Sequence, residues 1–192
     1  SVVMFVKAPA AASWGEASTS SGIQQVRVYA QDAASYDYFG CSVAIFNTTL
    51  VVGASGEDPA DVLNAGSVYV FERSGDAMVW EQVAKLSACG SSSCGFGSGV
   101  AIVGSVIVSS SFSSSSASGV WSLTRRRDDP SPSWSQTITV HKMSSMRYSS
   151  RVSMSASGLH AIVGAYYSSS ASSVEIFASV GGTLILQSTV EG

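Results

Sequence analysis

An all-β chain of repeated four-stranded antiparallel sheets is what this sequence predicts, on three observations. Short runs of β-branched and aromatic residues, bounded by turn residues, follow one another from end to end, and no stretch of about 11 residues or more carries a helical period. An ordered pattern recurs three times: YFGCSVAI, LVVGAS and GSVYVF; then GFGSGVAI, VIVSSS and SGVWSL; then RYSSRVSM, HAIVGA and SSVEIF. Its leading aromatic falls at Phe39, Phe96 and Tyr148, spacings of 57 and 52 residues, the period of an array of small stacked sheets. Finally, several of the strands are continuously apolar, as expected where both faces of a sheet are covered.

Taken in order, the chain opens on half a unit. Ser1 to Phe5 (SVVMF) resembles Ser67 to Phe71 (SVYVF), the third strand of the first complete unit. Trp14 or the run Ile23 to Tyr29 then supplies a fourth strand. The first full unit has strands around residues 43–46, 50–52, 68–71 and 79–83; the second around 100–103, 106–108, 120–123 and 134–140; the third around 152–154, 161–163, 174–177 and 184–187. The expected divisions are a partial unit at 1–30 and complete units at 31–86, 87–140 and 141–192. Gly40 and Gly97 each follow an aromatic at the start of a strand, where glycine allows a tight turn and the ring wedges between sheets. The small residues Gly53-Ala54, Ser109-Ser110 and Gly164-Ala165 end the second strands and suit a crowded position near a central axis.

Composition excludes several function classes. Charged residues make up only 12% of the chain and hydrophobic ones 45%, with serine in much of the place of charge. A net charge of −3 and a pI near 5.2 argue against nucleic acid as a partner. The basic run Arg125 to Arg127 is answered at once by Asp128 and Asp129 and reads as a solvated loop. No apolar run reaches the ~18 residues that span a bilayer, so no membrane insertion is expected in this segment. The chain starts without Met and with no signal-peptide pattern, which suits a mature, trimmed or partial product.

Chemistry is sparse. Cys89 and Cys94 in CGSSSC either close a small disulfide loop or remain free thiols, and their spacing fits no zinc site. Cys41, inside a strand, reads as a small buried hydrophobe. Asn47-Thr48-Thr49 is a glycosylation sequon in a predicted turn. His141 and His160 have no partner at a catalytic spacing, and Gly95 to Gly99 lacks the lysine and helix of a phosphate loop. No metal or cofactor is expected.

The pairs Phe39-Gly40 and Phe96-Gly97, with VGA at Val52 to Ala54 and Val163 to Ala165, resemble the FG-GAP repeats of integrin-alpha-type β-propellers. The resemblance implies propeller blades, about three and a half of them in a larger or partial propeller, since closure takes about four to eight. Such blades can hold calcium in a DxDxDG turn between the first and second strands. The turns here, at 46–49, 104–105 and 155–158, contain no carboxylate, so that site does not carry over. The resemblance also implies a binding rim, built from the loops between strands two and three and those joining blades. In the first unit these loops hold Asp32, Tyr36, Asp37, Tyr38, Glu57, Asp58 and Asp61; the second offers Phe112 in a serine-rich loop, and the third Tyr166 and Tyr167. The function expected is a non-enzymatic interaction or scaffold module, extracellular or at the cell surface as in cell adhesion. Its partner would be a protein or the remaining propeller blades. The alternatives are a lectin-like propeller binding glycan through Tyr36, Phe112 and Tyr167, and a catalytic propeller, which needs a polar constellation in the central channel.

Overall fold

The computed structural model describes residues 1–7, 23–73, 79–111, 119–125, 134–142, 148–166, 173–180 and 183–191. Two strands, β1 (Val2–Lys7) and β2 (Ile23–Val28), form a two-stranded antiparallel sheet. Three four-stranded antiparallel meanders follow. The first is β3 (Phe39–Phe46), β4 (Thr49–Ala54), β5 (Ser67–Arg73) and β6 (Trp80–Leu86). The second is β7 (Gly99–Val103), β8 (Val106–Ser110), β9 (Gly119–Arg125) and β10 (Trp134–Lys142). The third is β11 (Tyr148–Met154), β12 (His160–Tyr166), β13 (Ser173–Val180) and β14 (Thr183–Glu191). The fold is all-β, and these sheets are propeller-like blades. The half-unit's fourth strand is β2, and Trp14 lies outside the described residues. His141 falls within β10 rather than after it, paired with Val120.

The core lies between sheets, which explains the unbroken apolar strands. Every residue of β4 is buried, and successive side chains point to opposite faces. Leu50, Val52 and Ala54, with Tyr69 and Phe71 of β5, pack on Val2 and Val28 of the β1–β2 sheet. Val51, Val68 and Val70 face the other way, onto Phe96, Val100, Ile102 and Ile107 of the second blade. Val108 and Val120 continue the stack onto Ala161, Val163 and Phe177 of the third. Phe96 is fully buried between the first and second blades, and Phe39 stands edge-on to Tyr69 and Phe71, 5.4 and 6.1 Å between ring centroids.

Register makes the blades comparable residue by residue. Hairpin pairing aligns Val51 with Val108 and Ile162, and Val43 with Val100 and Val152. The bulge between Val70 and Phe71 recurs between Ile176 and Phe177. One local device does not recur. Trp134 Nε1 donates to Glu72 Oε1 at 3.3 Å, linking the second blade's outer strand to the first blade. Trp80 holds the same place in the first blade, and its buried Nε1 has no acceptor among the described residues; Val6 stands where Glu72 stands.

One sequence expectation is corrected. Cys41 is exposed rather than buried, with its Sγ 3.5 Å from the Gly97 carbonyl oxygen, because its face of β3 is left uncovered among the described residues. The glycine that ends the second strand of the first blade, Gly53, is crowded by the next blade. A Cβ on Gly53 would fall 1.9 Å from the Gly97 carbonyl oxygen, whereas one on Gly164, in the last blade, would meet open space.

Candidate functional site

Three loops at one end of the first blade are stitched into a single rim. The β2–β3 loop meets the β4–β5 loop where Gly56 N–H donates to the Asp37 carbonyl at 3.0 Å. The β4–β5 loop meets the β6–β7 loop through Ser93 N–H to Leu63 O, Gly95 N–H to Asn64 O and Phe96 N–H to Ala65 O, at 2.8, 3.0 and 2.9 Å. Cys89 and Cys94 are joined by a disulfide (S–S 2.13 Å), which staples the last of these loops. The middle loop contains a one-turn 3₁₀ segment, Pro59–Asp61, started by proline.

Within this rim the candidate residues divide into those that hold it together and those that face outward. Asp37 is buried, and its Oδ2 accepts the Ala34 N–H at 2.7 Å. Glu57 is buried too, and accepts from Ser67 Oγ at 2.5 Å. Lys85, on β6, bridges Asp32 Oδ2 at 2.5 Å and Glu57 Oε1 at 2.6 Å. Tyr69 completes the group, donating its hydroxyl to Asp32 Oδ1 at 2.9 Å while Lys85 Nζ sits 5.6 Å from its ring centroid. The bridge ties the loop leaving the half-blade to the loop after β4.

The electrostatics follow from these contacts. Burial pushes the Asp32 carboxyl up, but hydrogen bonds from Lys85 and Tyr69 outweigh it and hold the group below the ordinary carboxylate range. Burial pulls Lys85 down, but its hydrogen bonds to Asp32 and Glu57 win and raise it above an ordinary lysine. Burial, then the bond to Asp32, pushes the Tyr69 phenol up. All three groups are therefore fixed in their neutral-pH charge states, which makes this a structural clamp and not a poised acid–base pair.

The outward-facing set is aromatic and polar. Tyr36 and Tyr38 are 82% and 62% exposed, and Leu63 of the β4–β5 loop is exposed as well. Asp58 and Asp61 are exposed on the middle loop, Asp58 Oδ1 accepting the Asn64 N–H at 2.6 Å. Tyr36 and Tyr38 both hold left-handed backbone conformations (φ 74° and 54°), an uncommon state for a bulky residue. Gly56 makes room for them: a Cβ there would lie 2.2 Å from the Tyr36 carbonyl oxygen and 2.6 Å from the Tyr38 ring.

The other candidates lie elsewhere. Phe112 and Tyr167 are outside the described residues, and Tyr166 ends β12, paired with Tyr148. Asn47 is exposed in the β3–β4 turn, and His160 is exposed at the start of β12. Sequence reasoning missed Lys85, Tyr69 and Leu63. Lys85 sits in an ordinary alternating strand, WEQVAKL, and nothing in that pattern shows that two carboxylates from distant loops converge on it.

Residues 23–71 match the family model of the FG-GAP repeat, a span running from the start of β2 to Phe71 in β5. The chain thus carries an FG-GAP repeat in the copy that also builds the rim. No curated protein matches the chain.

Proposed function

We propose that this FG-GAP repeat chain is a non-enzymatic interaction module that binds a protein partner on the rim of its first blade. The observation that carries this reading is the pair Tyr36 and Tyr38, exposed on a rim whose three loops are fixed to one another by hydrogen bonds and a disulfide. Exposed tyrosines on a rigid support offer large amphipathic contact area with little conformational entropy left to lose. Leu63, Asp58 and Asp61 extend the surface with one apolar and two acidic contacts. Backbone strain at exposed aromatic residues supports a binding role, since it costs stability and places the rings where the fold does not need them.

The stapled rim and the exposed sequon at Asn47 favour an oxidising, extracellular or cell-surface setting. Among the described residues, no helix is long and apolar enough to cross a membrane.

A selection of displayed peptides and small protein domains, run beside a glycan array, tests the proposal. Protein ligands taken up by the wild type and lost by Tyr36→Ala/Tyr38→Ala, with thermal stability kept, are the expected result. Ligands that bind the rim variant as well as the wild type would sink it. Selection of glycans alone would replace it with the carbohydrate reading.

A further inference from the structure

The chain has two asparagines, Asn47 in the β3–β4 turn and Asn64 in the β4–β5 loop, and both hold left-handed backbone, φ 52° and 51°. Backbone geometry alone accounts for the residue type at both positions. Their surroundings differ. Asn64 is half-buried in the rim, where its N–H donates to Asp58 Oδ1 at 2.6 Å and its carbonyl accepts the Gly95 N–H at 3.0 Å. Asn47 is exposed, and its carboxamide has no hydrogen-bond partner among the described residues. An asparagine that serves only its turn commonly folds its side chain back onto the backbone. This one leaves its carboxamide uncommitted.

The turn that carries it is fixed. Asn47 and Thr48 connect β3 to β4, with Phe46 paired to Thr49 at the base. Arg73 N–H donates to the Thr48 carbonyl at 2.9 Å, so β5 anchors the tip as well. The exposure belongs to the tip and does not depend on which sheet lies alongside. The second blade has a sheet packed on either side, and its matching turn is open too: a Cβ on Gly104 would meet nothing within 4 Å. Since β3 and β4 are antiparallel neighbours, the turn lies at the end of the blade opposite the β2–β3 and β4–β5 loops. Asn47 is thus at the far end from Tyr36 and Tyr38.

We propose that Asn47 is an N-glycosylation site. Thr49 supplies the hydroxyl that the transfer requires two residues on, and the residue between them, Thr48, is not proline. Asn64 is followed by Ala65-Gly66 and has no such hydroxyl. Transfer joins Asn47 Nδ2 to the anomeric carbon of an oligosaccharide. The bond from that carbon to its lipid pyrophosphate donor breaks, the pyrophosphate leaves with the bonding electrons, and Nδ2 loses one proton. Nothing is oxidised or reduced. The Cys89–Cys94 disulfide suits the oxidising compartment in which such transfer takes place. The glycan projects into solvent from the turn end and leaves the tyrosine rim clear, so the site stands or falls independently of the rim's partner.

The test directs the full chain into the secretory pathway of a eukaryotic cell behind a cleavable leader. Its intact mass is read before and after digestion with an amidase that releases N-linked glycans. The wild type should carry a glycan mass that the digestion removes. Asn47→Gly keeps the left-handed backbone and removes the acceptor, while Thr49→Val keeps the β-branched shape and removes the hydroxyl. Both should lack the glycan, and Thr49→Ser should keep it. Transfer acts on the chain before it folds, so each variant is also read in whole-cell extract, where poor secretion cannot hide the result. A disulfide-bonded wild type without glycan would overturn the proposal, as would a glycan that survives either Asn47→Gly or Thr49→Val.

Discussion

Gly53 and Gly97 meet backbone to backbone across the first blade interface, so closely that a Cβ on Gly53 would lie 1.9 Å from the Gly97 carbonyl oxygen. Ser42 Oγ donates to that same oxygen at 2.7 Å, closing the contact. The FG of one blade is thus seated in the VGA of the blade before it, and the two halves of the repeat motif are each other's packing partner.

Gly53→Ala should therefore cost about 3 kcal/mol or more, since the clash is with backbone and cannot be relieved by a rotamer change. Gly164→Ala changes the aligned position in the last blade, where a Cβ meets nothing within 4 Å. It should stay within about 1 kcal/mol of the parent, or be slightly stabilising in a strand. Urea unfolding of the two variants checks this, and equal losses would show that the crowding is not interfacial.

The Lys85 clamp predicts a stability profile with two shoulders. Asp32 is depressed in the fold, so its contribution is present above its unfolded value of about 3.9 and is lost as pH falls below it. Lys85 and Tyr69 are raised, so theirs is full below about pH 10 and is lost as pH climbs through their folded values. Lys85→Met should cost about 1–3 kcal/mol near neutrality, flatten the acid shoulder in a plot of Tm against pH, and leave at high pH only the part that Tyr69 contributes. A variant whose profile merely shifts down in parallel would contradict the clamp.

Tyr36→Gly should stabilise the chain by about 1 kcal/mol while weakening partner binding, because glycine adopts φ 74° freely and the exposed ring contributes little to the fold. Thermal unfolding and binding to any rim ligand are read together. Loss of stability on this change would mean that the ring is structural.

Replacing both Cys89 and Cys94 by alanine should lower stability by about 2 kcal/mol, the chain-entropy expectation for so short a loop. Cys94 is buried two residues before Phe96 in the core between the first two blades, so alanine avoids adding a buried hydroxyl. Chemical unfolding with and without reductant measures the effect, and reductant should leave the double variant unaffected.

Sequence alone determined the repeat, the strand order within each unit and the all-β class, because these rest on local pattern: short β-branched and aromatic runs, turn residues and the recurrence of FG and VGA. The resemblance to FG-GAP blades also brought the rim loops of the first unit into one set. Tertiary structure decided what those loops do. Asp37 and Glu57 turned inward and Asp32 was clamped because Tyr69 and Lys85, 37 and 53 residues along the chain from Asp32, converge on it. No local pattern encodes such a meeting. Tertiary structure also decided where the motif is crowded and where it is open. Val43 and Val100 occupy the same place in the same repeat, yet one is exposed and the other buried. Among the described residues, the neighbouring sheet has four strands in one case and two in the other.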